Sequence, residues 1–191
     1  MFLLTNIKRA VDTLQMKVVF ALHNISREGN VNLNGVFKIV GSGKLVLLEG
    51  CTINSGKRAN PIGGDTRTVF SISPDATITI GERCGISNAA FVSNTSITLE
   101  KGVFIGGGGV KLYDTDFHSI YYEERMRKID PGIKSKPILI KEGAFIGAHS
   151  IVLKGVTIGK YSVIGAGSVI TKDIPDNEVW AGNPARFIKK L

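Results

Sequence analysis

Of the three histidines in this chain, His23, His118 and His149, only His118 stands among carboxylates, in the run Val110-Lys-Leu-Tyr-Asp-Thr-Asp-Phe-His-Ser-Ile120. Histidine is the side chain whose ordinary titration lies near neutrality, so it can take the proton of a weak nucleophile as that nucleophile attacks a carbonyl. Asp114 or Asp116 could hold the ring in one tautomer and stabilise the imidazolium. Spacing does not choose between them, and either is also a common turn residue. His149 falls at a place expected to point outward, which suits a structural or interface role, and His23 lies in a helical segment with no chemistry assigned. Zinc needs three or four suitably spaced ligands; no such set is present, and no metal is expected. Cys51 and Cys84 lack CxxC spacing and read as inward-facing thiols of a reducing compartment rather than a disulfide.

The elements that must position His118 announce themselves by rhythm. Ile140, Ile146, Val152, Ile158, Ile164 and Ile170 fall six apart, with Gly147, Gly159 and Gly165 in the second place of their hexads. A helix repeats every 3.6 residues and a flat strand every two, so neither accounts for this. A coil of three short strands, each one hexad long and stacked on itself as a parallel β-helix, does. Earlier hexads start at Ile80, Ile86 and Val92, then slip by one residue to Leu99 and Ile105. About six coils result, interrupted by an excursion at 54–68 and by a longer loss of period from Tyr113 to Lys136. A loop of that length in a compact repeat tends to be functional, and His118 lies near its start.

At the N-terminus Ile7, Ala10, Val11, Leu14, Val18, Ala21 and Leu22 recur at helical spacing, predicting an amphipathic helix that caps the open end of the stack. Peripheral contact with a membrane surface is its minority reading. The longest apolar run there, Val18 to Leu22, is far short of the roughly 18 residues that span a bilayer, and a cytoplasmic protein, with the inner membrane face as a variant, is expected. After Pro175 the strand pattern stops, and Pro184 to Leu191 reads as a short basic helix with Pro at its start. The organisation is thus a helical cap at 1–29, a β-helix at 30–174 with a loop insertion at 113–136, and a tail with a short helix at 175–191. The net charge of +8 and pI near 9.6 call for an anionic partner such as phosphate or a membrane. Nucleic acid is disfavoured, because the cations are dispersed and no nucleic-acid motif accompanies them.

The hexads, together with Ile164-Gly-Ala-Gly-Ser-Val-Ile-Thr-Lys-Asp-Ile-Pro175 and Ala181-Gly-Asn-Pro-Ala-Arg-Phe-Ile188, resemble the left-handed β-helix, or hexapeptide-repeat, acyltransferases. The tract Val110 to Ile120 looks most like that of the sugar and capsular-polysaccharide O-acetyltransferases. The resemblance covers about residues 76–191. It implies a left-handed coil, a homotrimer with active sites between neighbouring prisms, acetyl-CoA as donor without a metal, a saccharide acceptor, and His118 as the general base. It also implies that the turn Phe145 to Ala148 meets the thioester region. Ala166, Thr171, Lys172 and Arg186 match positions along the pantetheine arm and nucleotide, and Asn88, through a one-residue gap, matches a position that binds the acceptor. Arg186, Lys189 and Lys190 could pair with the CoA phosphates. Residues 1–75 do not match the helical N-terminal region of small-sugar members, so the acceptor is not carried over.

The leading function is therefore O-acetylation of a sugar hydroxyl in capsule or other surface-polysaccharide synthesis. An N-acetyltransferase of an amino sugar or small molecule, and a β-helical scaffold without catalysis, are the alternatives.

Overall fold

A computed structural model describes the backbone of residues 2–191 and the side chains from Ala10 onward. Helix α1 (Phe2–Leu22) leads into a stack of three-strand coils. The first holds β1 (Ile25–Arg27), β2 (Asn32–Asn34) and β3 (Lys38–Gly41); the second β4 (Lys44–Leu47), β5 (Thr52–Asn54) and β6 (Val69–Ile72); the third β7 (Thr77–Ile80), β8 (Gly85–Ser87) and β9 (Ala90–Ser93). The fourth coil is β10 (Ser96–Leu99), β11 (Phe104–Ile105) and β12 (Lys111–Tyr113), and the loop after it carries a short helix α2 (Tyr122–Arg125). The fifth is β13 (Ile138–Ile140), β14 (Phe145–Ile146) and β15 (Ile151–Leu153), and the sixth β16 (Thr157–Ile158), β17 (Val163–Ile164) and β18 (Val169–Ile170). The chain closes with β19 (Glu178–Ala181) and β20 (Arg186–Lys190).

Corresponding strands pair in parallel from coil to coil and form three sheets around one core. The registers explain the hexads. Ile53, Ile86, Ile105, Ile146 and Ile164 stand in one ladder that ends on Trp180, and Leu47, Ile80, Leu99, Ile140 and Ile158 form a second. All ten of these aliphatic residues are buried, each contributing about 1.5–3 kcal/mol of hydrophobic burial. The third ladder runs Ile39, Phe70, Phe91, Leu112, Val152 and Ile170. Its inward residue in the third coil is Phe91, not Val92, so the slip in the hexads comes five residues after Ile86. The reason is ring packing: Phe91 stacks on Phe70 with centroids 5.0 Å apart, and Phe37 meets Phe70 edge-on at 5.4 Å.

Three expectations need correction. The stripe Ala10, Val11, Leu14, Val18, Ala21 and Leu22 is exposed, whereas Met16 is buried and Val19 and Phe20 are half-buried on nearly the opposite side of α1; the side chain of Ile7 lies outside the described residues. Met16 and Phe20, one turn apart, bring the larger side chains to the prism, and Phe20 reaches Phe37 at 6.4 Å. The stack begins at Ile25, inside the segment read as cap. The expected C-terminal helix is instead β20, antiparallel to β19. The edge of β19 offers unpaired backbone groups, and Phe187 folds onto Trp180 with centroids 6.3 Å apart. Among the described residues no helix is long and apolar enough to cross a membrane.

Candidate active site

The loop at 114–137 is launched by a buried carboxylate. Asp114, fully buried, accepts hydrogen bonds from Ser93 Oγ at 2.8 Å, Asn94 N at 2.7 Å, Thr95 N at 2.8 Å and Thr95 Oγ1 at 2.8 Å. The loop's two arms then zip together: Asp116 N donates to Lys134 O at 3.0 Å and Lys136 N to Asp114 O at 2.8 Å, with a bridge between Thr115 and Ser135. Asp116 pairs through its carboxylate with Lys154, from the segment after β15. Neither carboxylate has a hydrogen bond or ion pair with the His118 ring among the described residues. Both are consumed in fixing the loop to the coils.

His118 follows a strained turn. Its N–H donates to Asp116 O at 2.7 Å around Phe117, whose φ is +64°, a three-residue γ-turn of the costly hand for a bulky residue. The Phe117 ring is braced edge-on against Tyr113, centroids 5.0 Å apart. The imidazole emerges with its side chain 73% exposed. The carboxylate that does face it is Asp130, with Oδ2 3.8 Å from His118 Nδ1 and its own side chain only 8% exposed. Asp130 is held by two backbone donors, Ser119 N to Oδ2 at 2.7 Å and Gly132 N to Oδ1 at 3.0 Å. Sequence reasoning looked a few residues back from His118 and missed it. The available signal was the turn-forming Asp130-Pro131-Gly132, which folds the far arm back over the near one.

A compact knot sets the distance between the arms. Ser119 Oγ donates to Glu124, and Arg125 Nη1 donates to Ser119 O at 2.9 Å and to Ile120 O at 2.8 Å. Gly132 lies against this knot so closely that a Cβ there would come 2.0 Å from Glu124 Oε2 and 2.3 Å from Ser119 Oγ.

The residues matched to the donor lie on the later coils. Phe145, in register with Phe104 and Val163, is exposed. The next corner is stripped of side chains: a Cβ on Gly147 would come 2.5 Å from Ala166 N and 2.8 Å from Ile164 O, so coils approach there as only glycine allows. The carbonyl of Ala148 accepts from Gly167 N at 2.8 Å, while its N–H meets no acceptor among the described residues. Ala166 is exposed beside it. On the last turns Lys172 lies over the Trp180 ring at 5.1 Å, and Trp180 Nε1 donates to Glu178 Oε2 at 2.7 Å. Arg186 and Lys189 are exposed on β20, opposite Ala181 and Val179, and Thr171 is exposed after β18. Trp180 thus has Lys172 on one contact and Phe187 of the strand carrying Arg186 and Lys189 on another.

Asn88 does not face solvent in the protomer. It is buried, with Oδ1 accepting from Gly56 N at 2.9 Å and Nδ2 directed at Asn60 O at 3.5 Å, so its amide is spent on the excursion at 55–68 rather than offered to an acceptor. His149 is exposed, its ring against Gly108 and Gly109. Cys51 and Cys84 are free and buried, and burial pushes both thiols up to about 11. A cavity of about 1040 Å³ opens between α1 and the first coils, lined by Met16, Lys17, Phe20, Arg27, Val31 and Leu33 among others; none of the candidate residues borders it. Among the described residues no three His, Cys, Asp or Glu side chains gather as a metal site would require.

Residues 137–172 match the family model for the bacterial transferase hexapeptide (six repeats). Galactoside O-acetyltransferase of Escherichia coli strain K12 is 41% identical over 104 residues, which cover 54% of this chain and 49% of that protein. The galactoside O-acetyltransferase of Lactococcus lactis is 40% identical over 104 residues, covering 54% and 48%. Over residues 137–172 the chain is thus similar to hexapeptide-repeat transferases. Its match spans about half the length of these curated relatives. Among solved structures, a galactoside acetyltransferase in complex with coenzyme A superposes with a TM-score of 0.59 at 29% identity, over 81% of this chain and 65% of that one. The polySia-specific acetyltransferase NeuO gives 0.61 at 25% identity over 88% and 85%. The Bacillus cereus N-acyltransferase AntD gives 0.70 at 21% identity over 92% and 87%, a likeness of fold alone.

Proposed function

We propose that this chain is an acetyl-CoA-dependent O-acetyltransferase that acts on a saccharide hydroxyl in surface-polysaccharide synthesis, as a cytoplasmic homotrimer of left-handed prisms. His118 is the general base. Its Nε2 takes the proton of the acceptor hydroxyl as that oxygen bonds to the thioester carbonyl carbon, the carbonyl oxygen gathers negative charge near the free Ala148 N–H, and the tetrahedral intermediate collapses with cleavage of the C–S bond. CoA thiolate leaves and receives the proton from the imidazolium, so no acyl-enzyme is needed. The narrow pantetheine arm lies along the corner at Gly147, Ala148 and Ala166, with Phe145 and Thr171 beside it. Lys172, Arg186 and Lys189 meet the phosphates.

The observation that carries this reading is the break in the prism: a loop pinned by a buried carboxylate presents one histidine on a strained turn, in a chain whose coils match galactoside O-acetyltransferases. The openness of His118 supports a site completed by a neighbouring prism, because proton abstraction at a hydroxyl benefits from exclusion of water. The likeness to NeuO supports including a polymeric saccharide among the acceptors. The test is acetyl-CoA turnover against a saccharide panel of galactosides, maltose and polysialic acid, followed by mild alkali. An O-ester product is hydrolysed and supports the reading; an alkali-stable product assigns an amine acceptor instead, and no turnover with any saccharide together with no acetyl-CoA binding favours a scaffold.

A further inference from the structure

A base exposed on a loop works only if its ring is held and its positive charge is met. Of the aspartates near His118 in sequence, Asp114 is saturated by four donors and Asp116 is paired with Lys154. Asp130 differs in kind. Its two oxygens are fixed by one backbone N–H each, from Ser119 and Gly132, yet a carboxylate has about four acceptor sites, so Oδ2 keeps capacity on the side that faces His118 Nδ1 at 3.8 Å. The carboxylate is nearly buried while the imidazole is open, so the anion is the fixed partner and the ring the adjustable one. A small rotation of the ring closes the gap to hydrogen-bond distance, as polar contacts at such sites commonly tighten when substrate arrives. The loop is built to keep Asp130 there: Ser119, whose N–H holds Oδ2, is itself knotted through its side chain to Glu124 and through its carbonyl to Arg125.

We propose that Asp130 is the positioning residue of His118, accepting the Nδ1–H so that Nε2 carries the lone pair, and facing the imidazolium once Nε2 has taken a proton. This rests on His118 being the base. It places the orienting carboxylate twelve residues after the histidine, in the far arm of the loop, and makes the fold of that arm part of the active site.

The test reads the ring itself and needs no acceptor. The full-length protein is labelled with 15N in its histidine rings, and the signals of His118 are identified by their loss in His118→Asn. Long-range proton–nitrogen spectra are taken in mildly alkaline buffer, where histidines are ordinarily neutral. The expected result is a proton on Nδ1 of His118 in the wild type. In Asp130→Asn the amide oxygen can still accept a backbone N–H, but the NH2 group offers a donor to Nδ1, so the Nδ1–H signal is lost in favour of Nε2–H. Asp130→Glu restores it, and Asp116→Asn leaves it in place. A proton on Nε2 in the wild type, or an Nδ1–H signal that survives Asp130→Asn, overturns the assignment. Undiminished acetyl transfer by His118→Ala would sink the catalytic reading and leave the tautomer result standing, so the two failures are told apart.

Discussion

Two segments leave the prism, 55–68 and 114–137, and they treat their polar groups in opposite ways. The first closes on the coils. Ser55 Oγ donates to Val36 O at 2.8 Å and accepts from Thr68 N at 3.1 Å, Thr68 Oγ1 donates to Asn54 O at 2.9 Å, and Asn88 Oδ1 is taken by Gly56 N. Arg58 in its middle pairs with Asp12 of α1. The second buries its root, at Asp114 and Thr115, and the knotted Ser119, and holds His118, Ile120, Tyr121 and Ile129 exposed. A break in a repeat is therefore not a site in itself. What separates the two is whether the polar side chain ends among backbone groups or in front of solvent, and Asn88 and His118 fall on opposite sides of that line.

Substitutions can break this contrast. The largest effect expected is from His118→Ala, which should lower acetyl transfer by about 10²- to 10⁴-fold with the thermal midpoint unchanged, because the ring is exposed and packs on little. Next comes Asp114→Ala, which strands four donors at the root of the loop; urea unfolding should show a loss of about 3 kcal/mol or more, with activity falling as the loop loses its anchor. Asn88→Ala should cost about 1–3 kcal/mol in the same measurement while leaving the KM for the saccharide unchanged. A selective rise in that KM with unaltered stability would return Asn88 to the acceptor site. A further effect, visible only at high pH, concerns the coils alone. Cys51 and Cys84 stay protonated to about 11 in the fold, against an ordinary value of 9.0, so between those values the unfolded chain binds fewer protons and stability falls as pH rises. Unfolding midpoints taken across pH 8 to 11 should be flat up to about 9 and then decline, and a Cys51→Ala, Cys84→Ala double variant should lose that decline.

The coils were legible because inward isoleucines repeat with the strand geometry itself, and the position of His118 was legible because the rhythm stops around it. Other features depend on facts that only packing decides. Helix α1 carries two apolar faces, Val11-Leu14-Val18-Leu22 and Met16-Val19-Phe20, and the shape of the first coil chooses the second. Pro184 suits the start of a helix, yet the open edge of β19 draws residues 186–190 into a strand. Asp114, Asp116 and Asp130 are indistinguishable as letters. Their roles follow from where three separate stretches of chain place Ser93 to Thr95, Lys154 and Ser119, and those are distances in space that local spacing does not encode.

The most direct measurement is a calorimetric titration of acetyl-CoA into the wild-type protein and His118→Ala. Saturable binding near one site per chain, with the same affinity in both, is the expected result, since in the proposed mechanism the donor lies along the coils and the histidine acts on the acceptor. No heat of binding at millimolar acetyl-CoA would contradict the account.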